Sequence, residues 1–518
     1  MRRHAILISL AALAAVVLPS VALAETRYAG GAGGTGTIQA AVNASASDDV
    51  IIVRDGVWKG DGNRGIDLHG KAITLLSQNG PGRCIIDCSG DFLPGFVFRT
   101  GERADSVVSG FTITGATGGA VVCDGGSPLI IGNRIVGNRG SAAVVCHNSS
   151  AIVFGNEIIA NNGSAMGGGV SCVATGAIIA ANLIACNSAP AGGGIECAGG
   201  GAAPFIVNNV IYGNTAEQDA GGGIGIVGAA PVVMCNTIMK NAAGVGGGIF
   251  AGGSGAIIAN NVIAANEAAY GAGTCLVGTP TPAFLRNTVT KNVASRFGAG
   301  LCCVGTRGVV SNCIFWANEA LKGNELALLA ATGGSSLAIS FSDVALGRRG
   351  VYAEKGCDLA WGAGMTDIDP LFAGAAKNDF HLLSKTGRPN IAAKAGWATD
   401  EQSSPCIDAG DPAAIFSHEP FPNGGRIDVG AYGNTFEASK SEPKHPAAGT
   451  DVTGDGKVTE ADLEAIRANL NKNAEEGDNW KYDVNGDGKV NILDMIKIRN
   501  ALAKEKGEQK KKEEEKKK

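Results

Sequence analysis

Apolar and polar positions repeat in a fixed order through the middle of this chain. An asparagine is followed two positions later by isoleucine or valine at Asn133, Asn156, Asn182, Asn209, Asn236, Asn261, Asn287 and Asn312, at intervals of 23 to 27 residues. A second asparagine usually closes the unit. Between units lies a glycine cluster, such as Gly167 to Gly169 or Gly221 to Gly223, and then a short apolar run. The period carries no helical stripe, and each run is too short to fold alone, so the pattern predicts stacked coils of parallel strands. Stacking sets like above like. Asparagines at one corner then bond up and down a column, and glycines allow the tight turns.

A further column lies just past each glycine cluster. It reads Cys123, Cys146, Cys172, Cys197, Ile226, Ala251, Leu276 and Cys303. Two residues earlier in the same strands stand Val121, Val144, Val170, Ile195, Ile224, Ile249, Thr274 and Leu301. A period of two places both columns on one face. Cysteine alternating with isoleucine, alanine and leucine behaves as a small buried apolar residue, so these thiols are expected to be free. Cys84 and Cys88 are better placed for disulfides, without a pairing that the sequence fixes. Ahead of the coils, Thr37 to Val42 reads as a short amphipathic helix, capped by Thr35 or Thr37 and able to close the open end of the stack.

The pattern changes near the C-terminus. Leu463, Ile466 and Leu470, and then Met495, Ile498 and Leu502, stand at helical spacing, so each set forms one apolar stripe. A 12-residue loop precedes each helix: DVTGDGKVTEAD from Asp451 and DVNGDGKVNILD from Asp483. Oxygen-bearing side chains fall at loop positions 1, 3, 5, 9 and 12, with glycine at 6, which is the spacing that wraps oxygens around Ca²⁺. The expected ligands for two ions are Asp451, Thr453, Asp455, the Lys457 carbonyl, Thr459 and Asp462, and then Asp483, Asn485, Asp487, the Lys489 carbonyl, Asn491 and Asp494. Position 12 is Asp where an ordinary EF-hand has Glu, and no helix signal enters either loop.

These paired loop-then-helix units resemble the type I dockerin domain from Asp451 to about Ala503. The resemblance implies a calcium-ordered module that docks onto a cohesin-like domain and places a polysaccharide-degrading protein in a complex. Family recognition is biased to loop positions 10 and 11, here Glu460 and Ala461 in one copy and Ile492 and Leu493 in the other. The copies differ, which argues against two equivalent faces, and Thr453 departs from the preferred Asn. The coils resemble right-handed parallel β-helix proteins of the pectin-lyase-like group, through TIQAAV, DDVIIVRDGVW and the Asn-x-Ile units. SPCIDAGDP with GGRIDVGAYG resembles the closing segment of many exported β-helix proteins.

The expected fold is an all-β right-handed parallel β-helix solenoid followed by a small α-helical calcium-loop module. The expected organisation is a signal peptide over 1–24, the β-helix with its capping helix over 25–345, a closing segment over 346–440, a linker over 441–450, the dockerin-like domain over 451–503 and a charged tail over 504–518. MRRH, the apolar run Ala5 to Leu18 and Ala22-Leu23-Ala24 form the export signal, and no other stretch is apolar enough to span a bilayer. The expected location is secreted or extracellular, compatible with a cell-surface association. A net charge of −5 argues for no polyanionic partner, so no nucleic acid is expected. Glycine, 79 of 518 residues, is periodic in the coils and so is not linker. The tail carries 8 Lys and 5 Glu and reads as solvated, disordered or helix-extending.

The candidate chemistry stays open. A lyase would need a basic residue beside a uronate carboxylate, and a hydrolase paired carboxylates. Charged positions in the coils, such as Asp124, Glu157, Glu196, Asp219 and Lys240, do not recur in one register. His147, next to Cys146, is expected to face outward. Trp58, Trp316 and Trp361 read as packing at solenoid edges. Asp408, Asp411 and Asp428 are turn acids with a case for a third cation. Two functions therefore remain: polysaccharide binding or degradation, by a glycoside hydrolase or polysaccharide lyase, and a non-catalytic extracellular scaffold or adhesion protein. Catalytic residues are unknown.

Overall fold

In the computed structural model, residues 24–31, 34–278, 280–331, 333–391, 396–442, 448–474, 477–485 and 488–516 are described. The expected export signal up to residue 23, part of the expected linker (443–447) and Asp487 lie outside them. The described residues fall into two compact units, divided between Ile368 and Asp369.

The first unit is a right-handed parallel solenoid. Its walls are one sheet of 14 strands and two of 12 among the described residues. The first runs from Thr26–Ala29 to Asp358–Trp361, so pairing continues beyond residue 345, where the coils were expected to end. The paired columns follow the register read from the sequence. Cys123 pairs with Cys146, Cys146 with Cys172 and Cys172 with Cys197, and Ile226, Ala251, Leu276 and Cys303 continue the line. Ile135, Ile158, Ile184, Ile211, Ile238 and Ile263 form a second buried column. Each such side chain contributes roughly 1.5–3 kcal/mol by leaving water.

Two asparagine ladders run along the buried corners. In the first, the side-chain oxygen of each Asn accepts the backbone N–H of the Asn one coil earlier, from Asn133 through Asn287. In the second the same pattern links Asn138, Asn161, Asn187, Asn214, Asn241, Asn266, Asn292 and Asn318. The Glu325 carboxylate ends this ladder by accepting from Asn318. The first ladder corrects the sequence reading at its last step. Above Asn287 stands Cys313, not Asn312: the Asn287 N–H reaches Cys313 Sγ at 3.3 Å, and the Cys313 N–H reaches Ser342 Oγ at 3.0 Å. Phe315 rather than Ile314 therefore pairs with Val289. Asn312 occupies the preceding corner instead, at φ 56°, like Asn208 at 56° and Cys235 at 56°. That left-handed conformation costs an L-residue roughly 1–2 kcal/mol, and the ladder bond that follows holds it in place.

The helix Ile38–Ala44 buries Ile38, Ala41 and Val42 in the solenoid core, with the Thr37 hydroxyl accepting the Ala40 N–H at 3.1 Å. No disulfide joins the cysteines. Cys84 and Cys88, the sequence's disulfide candidates, are buried thiols pushed up to about 12 by loss of water, which leaves them protonated and inert.

The second unit holds irregular turns and short antiparallel pairs, Phe372–Gly374 with Asp379–Leu382 and Arg388–Pro389 with Trp397–Ala398. Arg388 grips Asp400 with Nε at 2.8 Å and a terminal nitrogen at 3.1 Å. Its C-terminal part packs the helices Glu460–Ala468 and Ile492–Lys516 through Leu463, Ile466, Ile498 and Leu502, with Leu470 and Met495 half-buried beside them. The stripes seen in the sequence are therefore the core faces. Backbone helix continues into the charged tail as far as Lys516.

Candidate functional site

The two loops converge on their twelfth residues. Asp462 and Asp494 are both fully buried. Asp462 Oδ1 accepts from the Thr453 N–H and hydroxyl at 3.0 Å each, and Oδ2 accepts from the Thr459 N–H at 2.7 Å. Asp494 repeats this with Asn485 N–H at 2.9 Å and Asn491 N–H at 2.8 Å. Position 1 closes the other side. Asp451 accepts from the N–H groups of Gly454 at 2.8 Å and Gly456 at 2.7 Å, and Asp483 accepts from Gly488 at 2.8 Å. Asp455 accepts from the Lys457 N–H at 2.9 Å. Burial pushes the Asp462 carboxyl up, but the Thr459 and Thr453 donors outweigh it and hold the group below the ordinary carboxylate value. Among the described residues the loops bring carboxylate, hydroxyl and amide oxygens together, a donor set that suits a hard cation.

The helices begin at the tenth residue of each loop, and the tenth and eleventh residues face outward. Glu460 and Ala461 are exposed. Ile492 is 65% exposed and Leu493 53%, and Ile496, one turn on, is 45% exposed. An apolar triplet at a loop-anchored helix start is surface, not module core. Ile496 was missed in the sequence because it lies off the buried stripe.

The residues from Asp451 onward match the family model of the dockerin type I domain over 448–513. The C-terminal module is a type I dockerin domain. Type I dockerin domains bind calcium, imply a cohesin partner and occur in proteins that are typically extracellular. Residues 180–315 match the model of the right-handed β-helix region. No curated protein matches the chain. Among solved structures it is similar to the crystal structure of pectate lyase Pel9A, at 11% identity and TM-score 0.35, covering 81% of this chain and 98% of that one. A second likeness is to the catalytic domain of GH87 alpha-1,3-glucanase in complex with nigerose, at 10% identity and TM-score 0.29, covering 68% and 69%. Among the described residues no helix is long and apolar enough to cross a membrane.

On the solenoid three charged or aromatic groupings stand out. His147 Nδ1 meets Asp124 at 2.7 Å on an exposed face. Glu196 is 1% exposed, and neither of its carboxylate oxygens has a hydrogen-bond partner. Gly192 and Gly225 seal it in, because a Cβ at either would collide with its carboxylate. Loss of water, and next the Asp219 charge, push the Glu196 carboxyl up to about 8. A carboxyl raised in this way could donate a proton, yet burial leaves a polymer no path to it.

The third grouping escaped the sequence reading. Tyr270, Phe297 and Tyr352 stack along the solenoid at centroid spacings of 5.9 and 5.4 Å. Arg296 lies over Tyr270, and Lys322 lies over Phe297 and Tyr352. The rings are half-buried and the cations exposed. Tyr270 and Phe297 are register partners, but the next coil puts Lys322 at that position and Tyr352 comes from the strand Val351–Ala353, so no single period announces the three. Trp58 and Trp361, in contrast, pack against the core as expected.

In the second unit, Asp408 and Asp428 come together as read from the sequence, with Glu419 in place of Asp411. Glu419 sits in a turn-rich stretch without periodicity, which hid it. Loss of water pushes its carboxyl up to about 7 and raises Asp428 as well.

Proposed function

We propose that this chain is a secreted β-helix protein of polysaccharide binding or degradation, carried into a complex by its dockerin domain. The observation that carries this reading is the dockerin module, with Ile492 and Leu493 exposed at the start of a helix whose direction the second loop fixes. Two Ca²⁺ ions are to be held by Asp451, Thr453, Asp455, the Lys457 carbonyl, Thr459 and Asp462, and by Asp483, Asn485, Asp487, the Lys489 carbonyl, Asn491 and Asp494. Calcium supplies the charge that gathers these oxygens and orders a module with a small core. Glu460, Ala461, Ile492 and Leu493 then form the face offered to a cohesin-like domain, with the apolar residues as anchors.

On the solenoid, the Tyr270–Phe297–Tyr352 stack with Arg296 and Lys322 suits an acidic polysaccharide. Rings stack on the apolar faces of sugars, and the cations meet their carboxylates or sulfates. The sealed position of Glu196 and the scattered surface charges favour binding over catalysis at this stack, so a non-catalytic scaffold remains the second reading.

Two measurements test these readings. Chelating calcium is expected to expose the dockerin domain to trypsin between Lys457 and Arg499, and calcium to restore protection; equal cleavage in both conditions removes calcium from the account. Replacing Ile492 and Leu493 together by Asp is expected to reduce cohesin capture at least tenfold while calcium protection persists. Capture at the wild-type level places the partner face elsewhere. The same purified chain, screened on pectins, alginates and sulfated glycans for unsaturated products and reducing ends, separates enzyme from scaffold.

A further inference from the structure

The cluster of Asp408, Glu419 and Asp428 has the features of a built site. One carboxylate oxygen from each lies within 4.8 Å of the others. Asp428 is 2% exposed and Glu419 4%. Each of these two spends one oxygen on the backbone. Asp428 Oδ1 accepts the Asp408 N–H at 2.9 Å. Glu419 Oε1 accepts the N–H groups of Asp428 at 2.9 Å and Asn434 at 2.7 Å. Those bonds fix both carboxyl groups in orientation. The second oxygens, Glu419 Oε2 and Asp428 Oδ2, are buried and have no hydrogen-bond partner. A buried carboxylate oxygen left without a partner is costly, and two of them side by side more so. Gly424, at φ 60°, closes the remaining side: a Cβ there would collide with the Asp408 carboxylate, so only glycine lets the backbone pass.

We propose that Asp408, Glu419 and Asp428 bind a structural divalent cation, Ca²⁺ by preference, in the irregular segment between the solenoid and the dockerin domain. The donor set is oxygen only, with neither His nor Cys in the cluster, which disfavours zinc and the later transition metals. Oxygens up to 4.8 Å apart can share one ion at the 2.3–2.6 Å range of calcium–oxygen bonds. Three acidic ligands suit a dication. Mg²⁺ demands a tighter octahedral shell and keeps more of its water, so it fits a dry, backbone-fixed site less well. The ion ties together three separate turns that share little regular pairing, and so serves that segment as a clasp.

The experiment counts ions on the full chain by native mass spectrometry, after chelation and titration with CaCl₂. The variant carrying Asp451→Ala and Asp483→Ala disables both dockerin loops. It is expected to retain a calcium ion, and adding Glu419→Gln is expected to remove it. Glu419→Gln and Asp428→Asn, each in the otherwise unchanged chain, are expected to lose one ion relative to wild type. The loop variant leaves the cluster untouched, so its retained ion is read even where a cluster variant fails to fold. A loop variant that retains no calcium overturns the proposal. So does a calcium ion that persists in the loop variant after Glu419→Gln and Asp428→Asn are both added to it.

Discussion

Asn214→Ala is expected to lower the unfolding free energy of the solenoid by about 3–9 kcal/mol. The Asn214 side chain is fully buried and makes four hydrogen bonds. Its oxygen accepts the backbone N–H of Asn187 at 2.9 Å and the Asn187 side-chain N–H at 3.0 Å. Its nitrogen donates to the Ile184 carbonyl at 2.9 Å and to Asn241 at 3.0 Å. Alanine leaves three of those partner groups unpaired in an apolar corner, and each costs roughly 1–3 kcal/mol. Asn241 keeps a donor, because the backbone N–H of residue 214 still reaches it. Asn162 provides the control. It is exposed, and Asn162→Ala is expected to change stability by less than about 0.5 kcal/mol. Denaturant midpoints of the two variants check this, and similar shifts for both would show that the ladder bonds contribute little.

Glu196→Gln is expected to stabilise the solenoid in alkaline solution and to leave it nearly unchanged at pH 4.5. Burial raises the folded-state value of Glu196 from 4.5 to about 8, so the folded state prefers the neutral carboxyl. Stability from this group is complete below pH 4.5. It falls as pH rises, because the unfolded chain loses the proton first, and the loss is complete above about pH 8. The interval corresponds to roughly 5 kcal/mol. Glutamine fills the same volume and carries no charge to bury. Glu325, raised to about 7 by burial, adds a smaller loss of the same sign that the variant keeps. The decisive measurement is the difference between variant and wild-type unfolding free energies at pH 4.5, 6.5 and 8.5. A difference that does not widen with pH means that Glu196 is solvated in the folded chain.

The solenoid was legible because its residues act in columns. Asn133 through Asn287 share one chemical task, so identity repeats wherever the task repeats. Legibility failed where another residue performs the task. Cys313 and Ser342 supply the ladder atoms after Asn287, whereas the Asn-x-Ile pattern points to Asn312, one position early. The left-handed corner before each ladder residue was equally hidden, because Ala181, Cys235 and Arg286 all occupy it, and none of them favours it by nature. The two loop-then-helix units at Asp451 and Asp483 were legible because their spacing is local. The sites built across distant turns were not. Glu419 joins Asp408 and Asp428 only in three dimensions, and Tyr352 joins the register partners Tyr270 and Phe297 from another strand.

The ladders also bear on how such a chain changes its length over generations. Between Asn133 and Asn287 each coil meets its neighbours through the same two asparagine positions. A duplication or loss of one coil of coding sequence, such as the 27 residues from one ladder Asn to the next between Asn182 and Asn209, therefore leaves no bond unmade in either flank. Interior coils are interchangeable stock. Selection on the number of coils is then free to follow the size of the surface the protein must cover. Coils outside that stretch carry unique residues, the Thr37-capped helix before it and Cys313, Ser342 and Glu325 after it, and those coils resist copying.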